Sequence, residues 1–71
     1  MAPKARISNE VRRLRFVHGE MTQQALAQRI GCTRQTVIML EQGRYVPSLA
    51  LAMRIAQTFG TNVEAVFQLE D

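Results

Sequence analysis

The sequence predicts an all-α domain, a compact bundle of five short helices, and three observations carry that prediction. Apolar residues recur at three- and four-residue spacing in five separate stretches. Four of these stretches open beside a Ser, Thr or Asn that can cap a helix, and the glycines at 19, 31, 43 and 60 close them. No alternating strand pattern, internal repeat or low-complexity run interrupts the series. At 71 residues the chain has room for a single core, so one domain spans residues 7–71 behind a flexible basic arm at residues 1–6, which contains Pro3, Lys4 and Arg6.

The first helix follows a cap at Ser8 or Asn9, with Glu10 in its first turn. Val11, Leu14 and His18 repeat at helical spacing, Ile7 stands just ahead, and Gly19 ends the run. Thr22 caps the second helix, whose apolar stripe is Ala25, Leu26, Ala27 and Ile30 beside polar Gln23, Gln24, Gln28 and Arg29. Gly31 stops it, because glycine adopts the left-handed backbone a sharp exit needs. Thr33 then caps a third helix running through Val37 and Leu40 to about Gln42. Pro47 marks residues 43–47 as a connecting loop, since helix is disfavoured at the residue before a proline. Ser48 caps the fourth helix, with Leu49, Ala52, Ile55, Ala56 and Phe59 inward. A short fifth helix from about Val63 carries Val66 and Phe67.

Alanine at 25, 27, 52 and 56 buries less area than a larger apolar residue, so its value there is close approach of helix backbones. Ala27 lies four residues before Gly31, where a tight crossing of the second and third helices demands a small side chain. Short helix, glycine turn and short helix over residues 22–42 make a helix-turn-helix unit.

Composition narrows the chemistry. The chain is 46% hydrophobic and 21% charged, with one cysteine, Cys32, and one histidine, His18. A lone cysteine excludes an internal disulfide and a multi-cysteine zinc site, and a lone histidine excludes a His/His metal pair. No triad, metal set or phosphate loop is present, so the chain reads as a non-enzyme without a cofactor, and so small a domain leaves no room for a small-molecule effector. No apolar stretch approaches the roughly 18 residues of a membrane span, and residues 1–10 lack the apolar middle of a secretory signal. The expected location is cytoplasmic, at the nucleoid.

Charge is unevenly spread. Residues 1–44 hold eight cations against three carboxylates, a net of +5, and residues 45–71 hold Arg54 against Glu64, Glu70 and Asp71, a net of −2. Eight of the nine cations are arginine, whose planar fork suits phosphates and guanine edges. Double-stranded DNA is the partner this distribution favours, with a solvated basic face as the bland alternative.

Four segments then stand together: Thr22-Gln23-Gln24-Ala25-Leu26-Ala27, Gly31-Cys32-Thr33-Arg34-Gln35-Thr36-Val37, Leu40-Glu41-Gln42-Gly43 and Pro47-Ser48-Leu49. As a set they resemble the Cro and phage-repressor family of helix-turn-helix regulators, often called XRE-like, over roughly residues 7–68. The resemblance implies a lambda-repressor-like fold, and a recognition helix over residues 33–41 lying in the major groove of operator DNA. It also implies a phosphate contact at Gln23, and an arginine–glutamate link between Arg15 and Glu41. The segment from Phe16 to Met21 is one residue longer than the family's commonest spacing.

Helical geometry completes the candidate interface. With Val37 and Leu40 inward, Arg34, Gln35, Ile38 and part of Met39 face solvent or DNA. Arg34 and Gln35 occupy the first turn, the part a recognition helix presents to base edges. Arginine pairs with guanine and glutamine with adenine, each good pair discriminating by about 1–3 kcal/mol. Thr33 divides between capping and a contact to a thymine methyl or a phosphate, and Ile38 and Met39 offer apolar contacts deeper in the groove. Thr22, Gln23, Gln42 and Arg44 are the phosphate candidates, Gln23 because a helix N-terminus favours an anion. His18 reads as a helix-end residue bonding to carbonyls, and Cys32 as a small turn residue rather than a redox sensor. Leu51, Met53, Phe67 and Leu69 exceed what one core needs, which leaves extra core and a homodimer contact as equal readings.

The function these readings favour is a sequence-specific transcriptional regulator, a repressor, binding a palindromic operator as a dimer. The alternative is an antitoxin-like or adaptor module whose DNA contact is secondary. It requires a stable protein complex and salt-sensitive, sequence-indifferent DNA binding.

Overall fold

The structure is a computed structural model that describes residues 6–70. Its elements run β1 (Arg6–Asn9), α1 (Val11–Val17), α2 (Gln23–Ile30), α3 (Arg34–Glu41), α4 (Leu49–Thr58), α5 (Val63–Val66) and β2 (Phe67–Glu70). All five helices stand where the apolar spacing puts them. The sheet is the correction to the all-α expectation.

Strands β1 and β2 pair antiparallel, with Arg6 opposite Glu70, Ile7 opposite Leu69, Ser8 opposite Gln68 and Asn9 opposite Phe67. Arg6, expected in a flexible arm, is therefore the first residue of a strand, and the rest of that arm lies outside the described residues. Phe67, expected on the fifth helix, opens β2. The physical reason is that α5 is a single turn of four residues, too short to bury Phe67 on a helical face. An extended exit instead lays Ile7, Asn9, Phe67 and Leu69 on one side of the sheet, because alternate residues of a strand share a face.

Side-chain caps start four helices, three of them at expected residues and the fourth at Asn62. The hydroxyls of Thr22, Thr33 and Ser48 accept from the backbone N–H of Ala25, Thr36 and Leu51, and Asn62 Oδ1 accepts from Ala65. α1 differs: Glu10 occupies the cap position rather than the first turn, and its side chain makes no cap bond. Asn9 Oδ1 accepts from Val11 N–H at 3.2 Å instead, and Glu10 holds the Arg13 guanidinium at 2.8 Å.

The core lies between the helices. Val11, Leu26, Ala27, Val37, Ile55 and Val66 are fully enclosed, with Leu14, Ile30, Leu40, Ala56 and Phe59 packed around them. Ala27, Ala52 and Ala56 are buried as close approach requires, whereas Ala25 is half-buried. Leu49 departs from expectation. The stripe of Ala52, Ile55, Ala56 and Phe59 leaves the body of the domain one turn too early for it, and Leu49 is 72% exposed. No helix among the described residues is long and apolar enough to cross a membrane.

Candidate nucleic-acid interface

The unit that presents the candidate residues is α2, a short turn and α3. Gly31 holds φ +76°, and its N–H and that of Cys32 both donate to the Ala27 carbonyl at 3.0 Å, which closes α2 and swings the chain into α3. A side chain with a Cβ is strained in that backbone, so glycine is needed here. Cys32 packs partly against the core, and burial pushes its thiol pKa up, away from the thiolate that redox chemistry uses.

Val37 and Leu40, 0% and 2% exposed, anchor α3 and thereby fix what its other faces show. Arg34 and Gln35 stand exposed in the first turn, Ile38 and Met39 are half-buried along the next, and Gln42 and Arg44 are exposed beyond the end. Thr33 uses its hydroxyl as the cap, so α3 itself starts at Arg34 rather than at 33.

Behind this surface, α1 and α3 are joined by a buried ion pair. Arg15 Nε and Nη2 donate to Glu41 Oε2 and Oε1, the second at 3.0 Å, and Arg15 Nη1 donates to the Met21 carbonyl at 2.9 Å. The two side chains are only 10% and 8% exposed. A forked pair with a further guanidinium donor on a backbone carbonyl is the geometry in which a buried charge is tolerated. Gln23 Nε2 donates to Glu41 Oε1 at 3.2 Å, so the first residue of α2 is oriented by the last residue of α3. The pairing that the resemblance implied for Arg15 and Glu41 is present. Within the segment from Phe16 to Met21 two consecutive residues take the left-handed region, Gly19 at φ +80° and Glu20 at φ +55°.

These contacts bring most of the candidates together. Thr22, Gln23, Gln24 and Arg34 border one open hollow between α2 and the first turn of α3. Gln23, Ile38 and Gln42 border a second, and Arg12 of α1 lines it with them. Sequence reasoning passed over Arg12. The available signal was its place three residues before Arg15, on neighbouring turns of the same helix side. Arg44 stands apart, in the loop after α3, its N–H donating to the Met39 carbonyl at 2.9 Å. Glu41 is already held by Arg15, so the exposed charge around α3, from Arg12, Arg34 and Arg44, is positive. Among the described residues no three His, Cys, Asp or Glu side chains gather as a metal site. His18 ends α1 with Nδ1 against the Leu14 carbonyl at 2.9 Å and its ring 5.2 Å from that of Phe59, the helix-end role expected of it.

A family model described as helix-turn-helix matches residues 11–66, from the start of α1 to the end of α5. The chain belongs to the helix-turn-helix family. Among similar curated proteins, an HTH-type transcriptional regulator of Methanocaldococcus jannaschii is 43% identical over 65 residues, covering 92% of this chain and 97% of that protein. The Bacillus subtilis HTH-type transcriptional regulator YgzD is 45% identical with the same coverage, 92% and 97%. A third, from Methanothermobacter thermautotrophicus, is 54% identical over 52 residues, 72% of this chain and 75% of its own. For this helix-turn-helix chain the matched segment includes every residue of the α2–α3 unit and omits both strands.

Proposed function

We propose that this chain is a sequence-specific DNA-binding transcriptional regulator, a cytoplasmic repressor that lays α3 in the major groove of a palindromic operator as a homodimer. The observation that carries the proposal is the division of α3 into an enclosed side, Val37 and Leu40, and an exposed first turn, Arg34 and Gln35, at a positively charged surface. In that arrangement Arg34 and Gln35 read base edges, Thr33, Ile38 and Met39 add contacts within the groove, and Thr22, Gln23, Gln42 and Arg44 hold phosphates. Arg12 joins the phosphate set from α1. Repression follows from occupancy: a bound dimer excludes polymerase or another protein from the same DNA.

The homodimer draws support from apolar side chains the protomer leaves open. Val46, Leu49, Met53 and Leu69 are 65%, 72%, 47% and 69% exposed, and Val46 and Leu49 border a hollow with Ile7, Pro47 and Phe67. Of the residues expected to exceed the core's needs, Leu51 and Phe67 pack against it, and Met53 and Leu69 remain for a contact. A two-fold dimer would space its recognition helices by about 34–36 Å, one turn of DNA.

Selection of bound sequences from a random DNA pool tests the proposal. The expected result is a two-fold-symmetric consensus for which Arg34→Ala loses preference at one position per half-site, a discrimination of about 1–3 kcal/mol. Recovery of no consensus, with salt-sensitive binding to every sequence and a stable complex with another protein, would instead establish the adaptor reading.

A further inference from the structure

We propose that Phe16 is a positioning residue for DNA binding: its ring, in contact with the immobilised Arg15, holds the Arg12 guanidinium at the hollow that α1 shares with α2 and α3. The inference rests on the reading of Arg12 as a phosphate contact in the function proposed above, and deepens it by naming what sets that contact in place.

α1 carries three arginines in three different situations. Arg13 pairs with Glu10, and Arg15 is buried against Glu41. Arg12 is exposed and makes no ion pair among the described residues. It lines a hollow of about 290 Å³ together with Gln23, Ile38, Glu41 and Gln42. Glu41 is the one carboxylate of that lining and is already engaged: both its oxygens accept from Arg15, and Oε1 accepts from Gln23 as well. The charge left without a partner at this opening is therefore that of Arg12, whose planar fork suits a phosphate.

An exposed arginine samples many rotamers, and what limits Arg12 is the residue one turn later. Its Cζ lies over the Phe16 ring, 6.0 Å from the centroid, and Arg15 Cζ lies over the same ring at 5.7 Å. Side chains on a helix lean toward its N-terminus, so a residue four positions on covers the turn that carries Arg12. Arg15 is a fixed neighbour for the ring, because Nε and Nη2 donate to Glu41 and Nη1 to the Met21 carbonyl. The contact thus runs from a pinned cation through an aromatic ring to a second cation beside the hollow, each guanidinium attracted by the ring's negative face. Phe16 is 54% exposed, so burial in the core does not account for a phenyl group there. Glu41 consequently serves two of the candidate phosphate contacts, Gln23 by a direct hydrogen bond and Arg12 by way of Arg15 and Phe16. Ordering Arg12 before DNA arrives spares part of the rotamer entropy that binding would otherwise cost.

The test is a double-mutant cycle on binding to a selected DNA site, with the wild type, Phe16→Leu, Phe16→Tyr, Arg12→Ala and the double variant Phe16→Leu with Arg12→Ala, each followed over a range of salt. A cation over an exposed ring favours that conformer by about 2–5-fold, so Phe16→Leu is expected to lower affinity by up to about that factor per protomer bound. The slope of log K against log salt should stay near wild type in Phe16→Leu, because the charge of Arg12 is still there. Arg12→Ala removes the charge and should make that slope shallower by about 0.9 per protomer. Phe16→Tyr keeps the ring and should restore most of the affinity. With Arg12 already replaced, Phe16→Leu should add no further loss. In the free protein the Arg12 methylene protons should be shifted upfield by the ring in the wild type and in Phe16→Tyr, and not in Phe16→Leu. The positioning role is overturned if Phe16→Leu binds as tightly as the wild type, if it weakens binding equally with and without Arg12, or if Phe16→Tyr is as weak as Phe16→Leu. A loss of affinity in Phe16→Leu that follows a lowered thermal midpoint also overturns it, since that is what a merely structural ring would give. A wild type that selects no site defeats the parent function, and an Arg12→Ala variant with full affinity and slope defeats the phosphate contact; a selected site that needs Arg12 and is indifferent to Phe16 defeats this inference alone.

Discussion

The helix-turn-helix unit and the sheet side of this domain are held by different means. Across α2 and α3, Leu26, Ala27 and Val37 are fully enclosed and the Arg15–Glu41 pair is nearly so. Across β1 and β2, four residues pair with four, β2 keeps three of its four side chains exposed, and Leu69 is open to solvent. Two-stranded pairings of this length are marginal by themselves and depend on what packs against them. The contrast separates an element fixed by enclosed side chains and a buried ion pair from one that presents apolar surface. If that division is correct, substitutions in the first region cost much stability, and comparable changes in the second cost little stability and act on association.

The largest expected effect is at the buried ion pair. Arg15→Ala leaves the Glu41 carboxylate enclosed without its partner, and breaking such a pair costs about 3–5 kcal/mol. Replacing both partners, as Arg15→Met with Glu41→Leu, should cost less than either single change, since no buried charge is stranded. Urea denaturation of the three variants checks this, and a double variant as damaged as Arg15→Ala would mean that loss of the bond to the Met21 carbonyl dominates.

Next is the turn. Gly31→Ala forces a Cβ into φ +76°, at an expected cost of about 1–2 kcal/mol. The added methyl meets only the Arg54 guanidinium, at an ordinary 3.7 Å, so backbone strain is the whole of the effect. A loss of that size, read as a thermal midpoint about 4–8 °C lower per kcal/mol, fits a strained turn in an otherwise undisturbed unit. A collapse of the fold would point to a collision the geometry does not contain.

The same division explains what could be read from the sequence. Caps at Thr22, Thr33 and Ser48, the left-handed Gly31, the small Ala27 and the inward Val37 and Leu40 are local relations within a few residues, and each was legible. So was the exposure of Arg34 and Gln35, because it follows from the anchors. The β1–β2 pairing was not: Phe67-Gln68-Leu69-Glu70 alternates, but only briefly, and its partner lies at the opposite end of the chain. Leu49 was misread because a periodic stripe says which side of a helix is apolar and not where the neighbouring body ends. Arg12 was missed because the spacing that sets it on the side of Arg15 becomes informative only once α1 is packed against the unit, beside Gln23 and Ile38.

The smallest expected stability effect belongs to Leu69. With 69% of its surface already in water, Leu69→Ser removes little buried area from the protomer, and an exposed substitution of this kind shifts stability by no more than about 0.5 kcal/mol. Its strand partner Ile7 stays beside Val46 and Phe67 around the apolar hollow, so the pairing itself persists. What should change is association, because Leu69 adds to the open apolar face that a second copy would cover. Sedimentation at several concentrations therefore discriminates where denaturation does not. Unaltered stability with weaker self-association assigns Leu69 to the contact between protomers, whereas a loss well above about 0.5 kcal/mol would show that the sheet supports the core more than its exposure implies and would erase the contrast between the two regions.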